Sequence, residues 1–313
     1  MNMPGRAHPG APQAEWAGRP ERSNRAMLRL MTWISLRLGR APARWVLAGI
    51  SLYFLLFAPA ARAASRAYLR RALDREPTFA DLFRHFHSFA STIHDRLFLL
   101  NGRFDLFHVE VHGKAVIDEI LAAGRGAFLM GAHMGSFEAV RAIGRRQPGL
   151  RVAMVMYEDN ARKLNEALAA INPAAVQEII PLGQIDSMLR VQASLEEGVV
   201  LGVLGDRTLG GDPAVRIPFL GAEAEFPVGP MRLAAMLKRP VLFMSGLYLG
   251  GNRYAIHFER LADFSDLERT GRDAAVQAAI TAYAACLERH CRATPCNWFN
   301  FFDFWRPKGA AKT

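Results

Sequence analysis

From about Val109 onward the chain repeats one pattern. A short, almost uncharged apolar run is followed by a stretch whose apolar residues recur at three- and four-residue steps. Runs of that length match strands buried on both faces, and the stretches between them match amphipathic helices. A sheet covered by helices satisfies both. The runs predict strands over 127–131, 152–157, 176–181, 199–205, 241–248 and 254–259. Helices are expected over 115–123, 137–146, 161–171, 185–197 and 231–238, with a long last helix over 273–292. Gly198 stands where a helix C-cap belongs, and Pro230 suits a first helical turn. The expected fold class is α/β, a central, mostly parallel or mixed sheet flanked by helices, with an N-terminal helical membrane-associating segment.

The part before the alternation has a different composition. Residues 1–26 are rich in Pro, Gly, Ala and Arg without apolar periodicity, and read as a disordered basic tail. Residues 27–106 read as a helical, membrane-anchoring region, 107–306 as the α/β domain and 307–313 as a short tail. No residue from Trp45 to Ala61 is charged, and that run sits at the short limit for a membrane span. Arg37, Arg40 and Arg44 precede it, and Arg62, Arg66, Arg70 and Arg71 follow it. A translocated span usually has one-sided charge. The symmetric flanks instead suit a helical, membrane-embedded or interfacial anchor on the cytoplasmic side of the inner membrane, its arginines gripping lipid phosphates at about 1 kcal/mol each. A buried core helix is the alternative. Further on, Phe79, Leu82, Phe83, Phe86, Phe89 and Ile93 form one helical apolar stripe. His85, His87 and His94 on the same stretch lack metal-ligand spacing and read as surface or core residues. Asp95 and Arg96 read as a structural ion pair.

Composition excludes several classes. With 51% hydrophobic, 10% aromatic and 22% charged residues the chain is neither a disordered polymer nor a polytopic membrane protein. Its net charge of +10 rests mainly on arginine and favours polyanions such as lipid head groups or an acidic carrier protein; no nucleic-acid partner is expected. No Walker or G-x-G-x-x-G fingerprint follows a strand, which argues against a nucleotide site. Cys286, Cys291 and Cys296, at five-residue spacing, form neither a metal knuckle nor a disulfide framework, and read as free thiols.

In open α/β sheets ligands bind beyond the carboxyl ends of strands. The strand at 127–131 exits into His133-Met134-Gly135-Ser136-Phe137-Glu138, which puts His133 on the exit loop and Glu138 in the first turn of the next helix. A carboxylate there is favoured by the helix dipole. If Glu138 accepts the Nδ1 proton of His133, Nε2 becomes an aimed base, the base–orienter half of a triad without its serine. The nucleophile is then the substrate's own hydroxyl or amine. Ser136 has no G-x-S-x-G elbow around it. Asp206 and Arg207 close a second strand and Tyr157 and Asn160 follow a third; each also has a plain structural reading as a salt-bridged strand end or a loop residue.

Taken together the blocks resemble the lysophospholipid acyltransferase superfamily, in particular its lipid A late-acyltransferase branch. His133 and Glu138 in HMGSFE match its His-x4-Asp/Glu motif, and Asp206 in GDRTLGGD its strand-exit aspartate block. IPFLG matches the apolar-Pro-Phe-(Phe/Leu)-Gly block and FPVGP the helix-starting block that follow, and Tyr157 and Asn160 in VMYEDN stand at the places of a tyrosine/arginine–asparagine block. The likeness covers roughly residues 30–306. Two features differ: the tail from Asn297 to Trp305 is aromatic rather than basic, and Arg207 stands where lipid A enzymes carry His or Gln. The chain therefore looks like a sister group. The resemblance implies acyl transfer from an acyl thioester, on acyl carrier protein or coenzyme A, to a hydroxyl or amine of a membrane lipid or glycolipid. His133 would be the general base oriented by Glu138, and Asp206, Arg207, Tyr157 and Asn160 would contact substrate. Amides near Gly135–Ser136, or Arg207, would receive the oxyanion, and the chemistry requires neither metal nor redox cofactor. A non-catalytic lipid-binding protein and a thioesterase or hydrolase using the same site are the alternatives.

Overall fold

The structure, a computed structural model, describes residues 33, 35, 37, 39–144, 149–172, 178–182, 186–208 and 212–305. The expected tails at 1–26 and 307–313 lie outside the described residues, as does the start of the strand expected at 176–181.

Three helices come first: α1 (Arg40–Phe57), α2 (Pro59–Leu73) and α3 (Phe79–Leu100). The uncharged run is not one anchor helix. It breaks at Ala58, just before Pro59, and α1 and α2 meet at 96°. Proline at the first helical position starts α2 because it has no N–H to lose there. Thr78 begins α3 with a capping box, its hydroxyl accepting from the Asp81 amide while the Asp81 carboxylate accepts from the Thr78 amide. α1 turns Leu47, Ser51 and Leu55 inward. Asp95, buried on α3, fixes the start of α1 by accepting two bonds from Arg40 at 2.7 and 2.8 Å and one from Tyr254 at 2.8 Å. Asp95 and Arg96 thus have separate partners rather than each other. His85 and His94 are core residues: His85 lies between Ser65 Oγ (2.8 Å) and the Trp298 carbonyl (2.9 Å).

The α/β part runs β1 (His108–His112), α4 (Lys114–Ala123), β2 (Ala127–Gly131), α5 (Phe137–Gly144), β3 (Val152–Tyr157), α6 (Glu158–Ile171), β4 (Ile179–Leu182), α7 (Ser187–Glu196) and β5 (Val200–Leu204). It continues with β6 (Ala214–Phe219), β7 (Ala222–Pro227), α8 (Gly229–Met236), β8 (Pro240–Tyr248), β9 (Arg253–Asp263) and α9 (Arg272–Ala293). Seven strands form one mixed sheet in the order β1-β9-β8-β2-β5-β3-β4, in which β8, β2, β5, β3 and β4 are parallel and β9 is antiparallel to β8. The expected helix-flanked α/β sheet is what forms, with β2, β5 and β8 buried along nearly their whole length.

Two features exceed the sequence expectation. β1 adds an edge strand beside β9, its alternating HVEVH too short and too exposed to register as an apolar run. IPFLG ends β6 and makes the turn of a separate β6–β7 hairpin, while FPVGP closes β7 and, as a helix-starting block, opens α8. The hairpin's two-residue turn, Leu220-Gly221, has φ of 51° and 77°, the pair of positive values that a type I′ turn demands. The hairpin places Phe219 and Phe226 in the core, Phe219 edge-on to Trp298 at 5.4 Å.

Candidate functional site

Register sets the site. β2 and β5 pair with Gly131 opposite Leu204, so residues two positions beyond each strand end are also level. Those residues are His133 and Asp206. His133 Nδ1 lies 2.9 Å from Asp206 Oδ1, and the His133 amide donates to Oδ2 at 3.0 Å. Trp298 Nε1 gives Oδ2 a third bond at 2.9 Å. The acceptor is an ionised carboxylate, so Nδ1 carries the proton and Nε2 is the free, basic nitrogen.

Asp206 is completely buried. Burial pushes its pKa up, but the adjacent imidazole, the Arg207 guanidinium and the donated bonds outweigh that and hold it well below the usual carboxylate range. A carboxylate with several donors on it can stay charged in such a place. His133 keeps a third of its side-chain surface exposed, so the ring is anchored on one edge and open on the other.

The expected orienter, Glu138, is engaged elsewhere. It opens α5 as the sequence indicated, but its Oε1 forms an ion pair with Arg96 Nε of α3 at 2.7 Å. The correction has a geometric reason. Five residues of chain carry Glu138 round the tight turn into α5, whereas Asp206, 73 residues away in sequence, stands one strand over at the same level. Sheet adjacency outweighs sequence proximity.

The turn itself is built on glycine. Gly135 has φ +65°, and a Cβ there would come 2.0 Å from the Gly246 carbonyl oxygen. The Ser136 amide donates to that same oxygen at 2.7 Å, and the Gly135 amide donates to the Asn297 carbonyl at 2.8 Å. These two amides, expected as oxyanion donors, are therefore occupied by the protein's own carbonyls. Arg207 remains of the expected donors. Its guanidinium lies over the Phe302 ring at 5.0 Å, donates to the Phe299 carbonyl and borders the cavity.

The C-terminal aromatic segment locks the loop. The Phe299 amide donates to the His133 carbonyl at 2.8 Å, and Met134 bridges to Trp298. Asn297 is buried and pairs by its side chain with both the amide and the carbonyl of Tyr248 at the end of β8. Sequence reasoning missed Asn297, Trp298 and Arg96. Polar side chains interleaved with the aromatics of the tail, Asn297 beside Trp298 first among them, were the available signal, since buried polar groups need partners.

These elements enclose a cavity of about 460 Å³, within the range of small-molecule sites. His133 and Arg207 lie on its wall with the Arg96–Glu138 pair, and the remainder is largely apolar, including Phe89 and Ile93 of α3, Met154, Leu164, Met244 and Phe301. The α3 stripe therefore divides: Leu82 and Phe86 enter the core, while Phe89 and Ile93 stay more than a third exposed at the cavity. Tyr157 and Asn160 are not brought to this wall. Tyr157 caps the start of α6, and its hydroxyl bonds to Asp212 at 3.2 Å, while Asn160 follows in the first turn of α6. The surroundings can deprotonate a bound hydroxyl or amine beside an apolar chain, with the half-buried Arg207 cation nearby for developing negative charge.

No curated protein matches this chain. The family model described as bacterial lipid A biosynthesis acyltransferase matches residues 100–307, which takes in the whole sheet, the His133 loop and the aromatic segment. The chain belongs to that family and is an acyltransferase that acts on lipid acceptors.

Proposed function

We propose that the protein moves a fatty acyl group from a thioester, carried by acyl carrier protein or coenzyme A, to a hydroxyl or amine of a membrane lipid or glycolipid, at the cytoplasmic face of the inner membrane. The observation that carries this reading is His133, held at Nδ1 by buried Asp206 on the wall of an apolar cavity. The acyl chain lies among Phe89, Met154, Met244 and Phe301. His133 Nε2 takes the acceptor proton as the oxygen or nitrogen attacks the thioester carbonyl. Asp206 fixes the ring and stabilises the imidazolium. Arg207 faces the negative charge of the tetrahedral intermediate, and the proton on Nε2 then passes to the departing thiolate. Glu138 shapes the wall through Arg96 and does not touch the imidazole.

The membrane half of the reading rests on α1. Trp45 is 84% exposed, Val46 60%, Tyr53 52%, Leu56 46% and Phe57 65%, and these positions recur along one side of the helix. A greasy outer face opposite a packed inner one, with arginines at both ends, suits a helix lying in a lipid interface. Among the described residues no single helix is long and apolar enough to cross a membrane.

The experiment is transfer of a labelled acyl group from purified carrier protein or coenzyme A to extracted membrane lipid. The wild-type chain should yield labelled lipid, and His133→Ala should lower the rate by roughly 10²–10⁴-fold with the fold intact. Free fatty acid as the main product with acceptor present would favour a thioesterase, and an unchanged rate in His133→Ala would remove the proposal.

A further inference from the structure

A second cluster of reactive side chains lies outside the cavity lining, where α9 crosses β9. His290 Nε2 is 2.6 Å from Glu259 Oε1, and the Cys286 Sγ is close enough that one ligand atom from each of the three residues lies within 4.8 Å of the others. Cys286 and His290 are one helical turn apart, so they share a face of α9. Cys286 is 2% exposed and His290 8%, while the Glu259 side chain keeps 35%, so the cluster meets solvent at its carboxylate. Two residues before Glu259, on the same face of β9, is His257, whose ring meets that of His290 at 4.9 Å. Phe243 of β8, directly across from Glu259, stacks on His290 at 5.0 Å and walls the cluster.

We propose that Cys286, His290 and Glu259, with His257 as the fourth ligand, bind a divalent transition-metal ion of the zinc type. One thiolate, two imidazoles and one carboxylate make a borderline-soft donor set that such an ion accepts. Thiolate and carboxylate together balance its two charges. Metal–ligand distances of about 2.0–2.3 Å place tetrahedral ligand atoms about 3.3–3.6 Å apart, so the His290–Glu259 pair opens from 2.6 Å while the Cys286 and His257 side chains rotate in to complete the site. Without metal, Glu259 also accepts from Arg289 at 2.5 Å, and burial pushes the Cys286 thiol up to about 12. Metal uptake therefore releases the thiol proton to solvent and displaces Arg289, whose side chain is 61% exposed and free to swing outward. The spacing of the three cysteines concealed this arrangement, because only one of them takes part and the carboxylate comes from a different element. Mechanically, the ion would tie α9 to the sheet. The end of α9 leads through a short turn into Trp298, a donor to Asp206.

The test is cobalt titration of the full-length chain, stripped with chelator under reducing conditions. The expected result is saturable uptake of one equivalent, with a thiolate-to-cobalt charge-transfer band in the near ultraviolet that zinc abolishes by displacement. Zinc in a hundredfold excess over its Kd should raise Tm by about 5 °C, reversed by chelator. Cys286→Ser should remove the band, while Cys296→Ser should retain it. Glu259→Gln changes a half-exposed position and should weaken cobalt at least tenfold even if Cys286→Ser folds poorly. A chain that takes up no stoichiometric cobalt, or a band that survives Cys286→Ser, would overturn the site. Acyl transfer is a separate readout, so a failed titration leaves the His133 reading standing.

Discussion

At the scale of single residues, the loop that carries His133 depends on two backbones touching. A methyl group on Gly135 would strike the Gly246 carbonyl and one on Gly246 the Ser136 carbonyl, and Gly135 sits at positive φ as well. Gly135→Ala should destabilise the protein by about 2–4 kcal/mol, read as a lower urea midpoint at unchanged slope. A variant with wild-type stability would mean that the loop does not rest on β8. The same scale shows where sequence reading stopped. His133 was legible as a strand-exit base because the apolar run AFLMG ends just before it. Its partner was not, because five-residue proximity to Glu138 is visible in a sequence and the level register of β2 with β5 is not.

At the scale of elements, the N-terminal helices have a charge-sensitive core. His85, enclosed between Ser65 and the Trp298 carbonyl, is pushed by burial from 6.5 down to about 4. His94, also buried on α3, is lowered to about 4, again chiefly by burial. Between those values and the ordinary imidazole pKa the unfolded chain holds protons that the folded chain lacks, so stability falls as pH drops from about 6.5 to about 4. His85 alone contributes up to about 3 kcal/mol of that loss. Urea unfolding across this window should show the decline, and His85→Gln should make it shallower. Equal slopes in both proteins would refute the assignment. On α1 the expectation is different: Trp45→Glu with Phe57→Glu should leave stability within about 0.5 kcal/mol while releasing the protein from anionic vesicles. Undiminished vesicle sedimentation of that variant would argue against α1 as the lipid-facing element.

At the scale of the whole molecule, the sheet was readable and its edges were not. Strands buried on both faces announce themselves as uninterrupted apolar runs, which is why β2, β3, β5 and β8 matched expectation within a residue or two. β1 alternates and lies at an edge, and the β6–β7 hairpin was visible only as sequence blocks. The uncharged run from Trp45 to Ala61 falls on two helices because hydropathy does not register the break before Pro59. The aromatic tail proved to be both core and cavity wall: Trp298 is buried against the hairpin, while Phe299, Phe301 and Phe302 border the space beside His133. Long-range pairing of β2, β5 and this tail makes the site a product of the complete fold rather than of any one motif.

We propose that Asp206, not Glu138, holds the His133 imidazole that takes the acceptor proton. This is tested most directly by comparing kcat for acyl transfer in Asp206→Asn and Glu138→Gln at saturating donor. The account predicts a loss of roughly 10²–10⁴-fold for Asp206→Asn, and a change under about tenfold for Glu138→Gln. The reverse order, with Glu138→Gln the crippled enzyme and Asp206→Asn nearly normal, would contradict it.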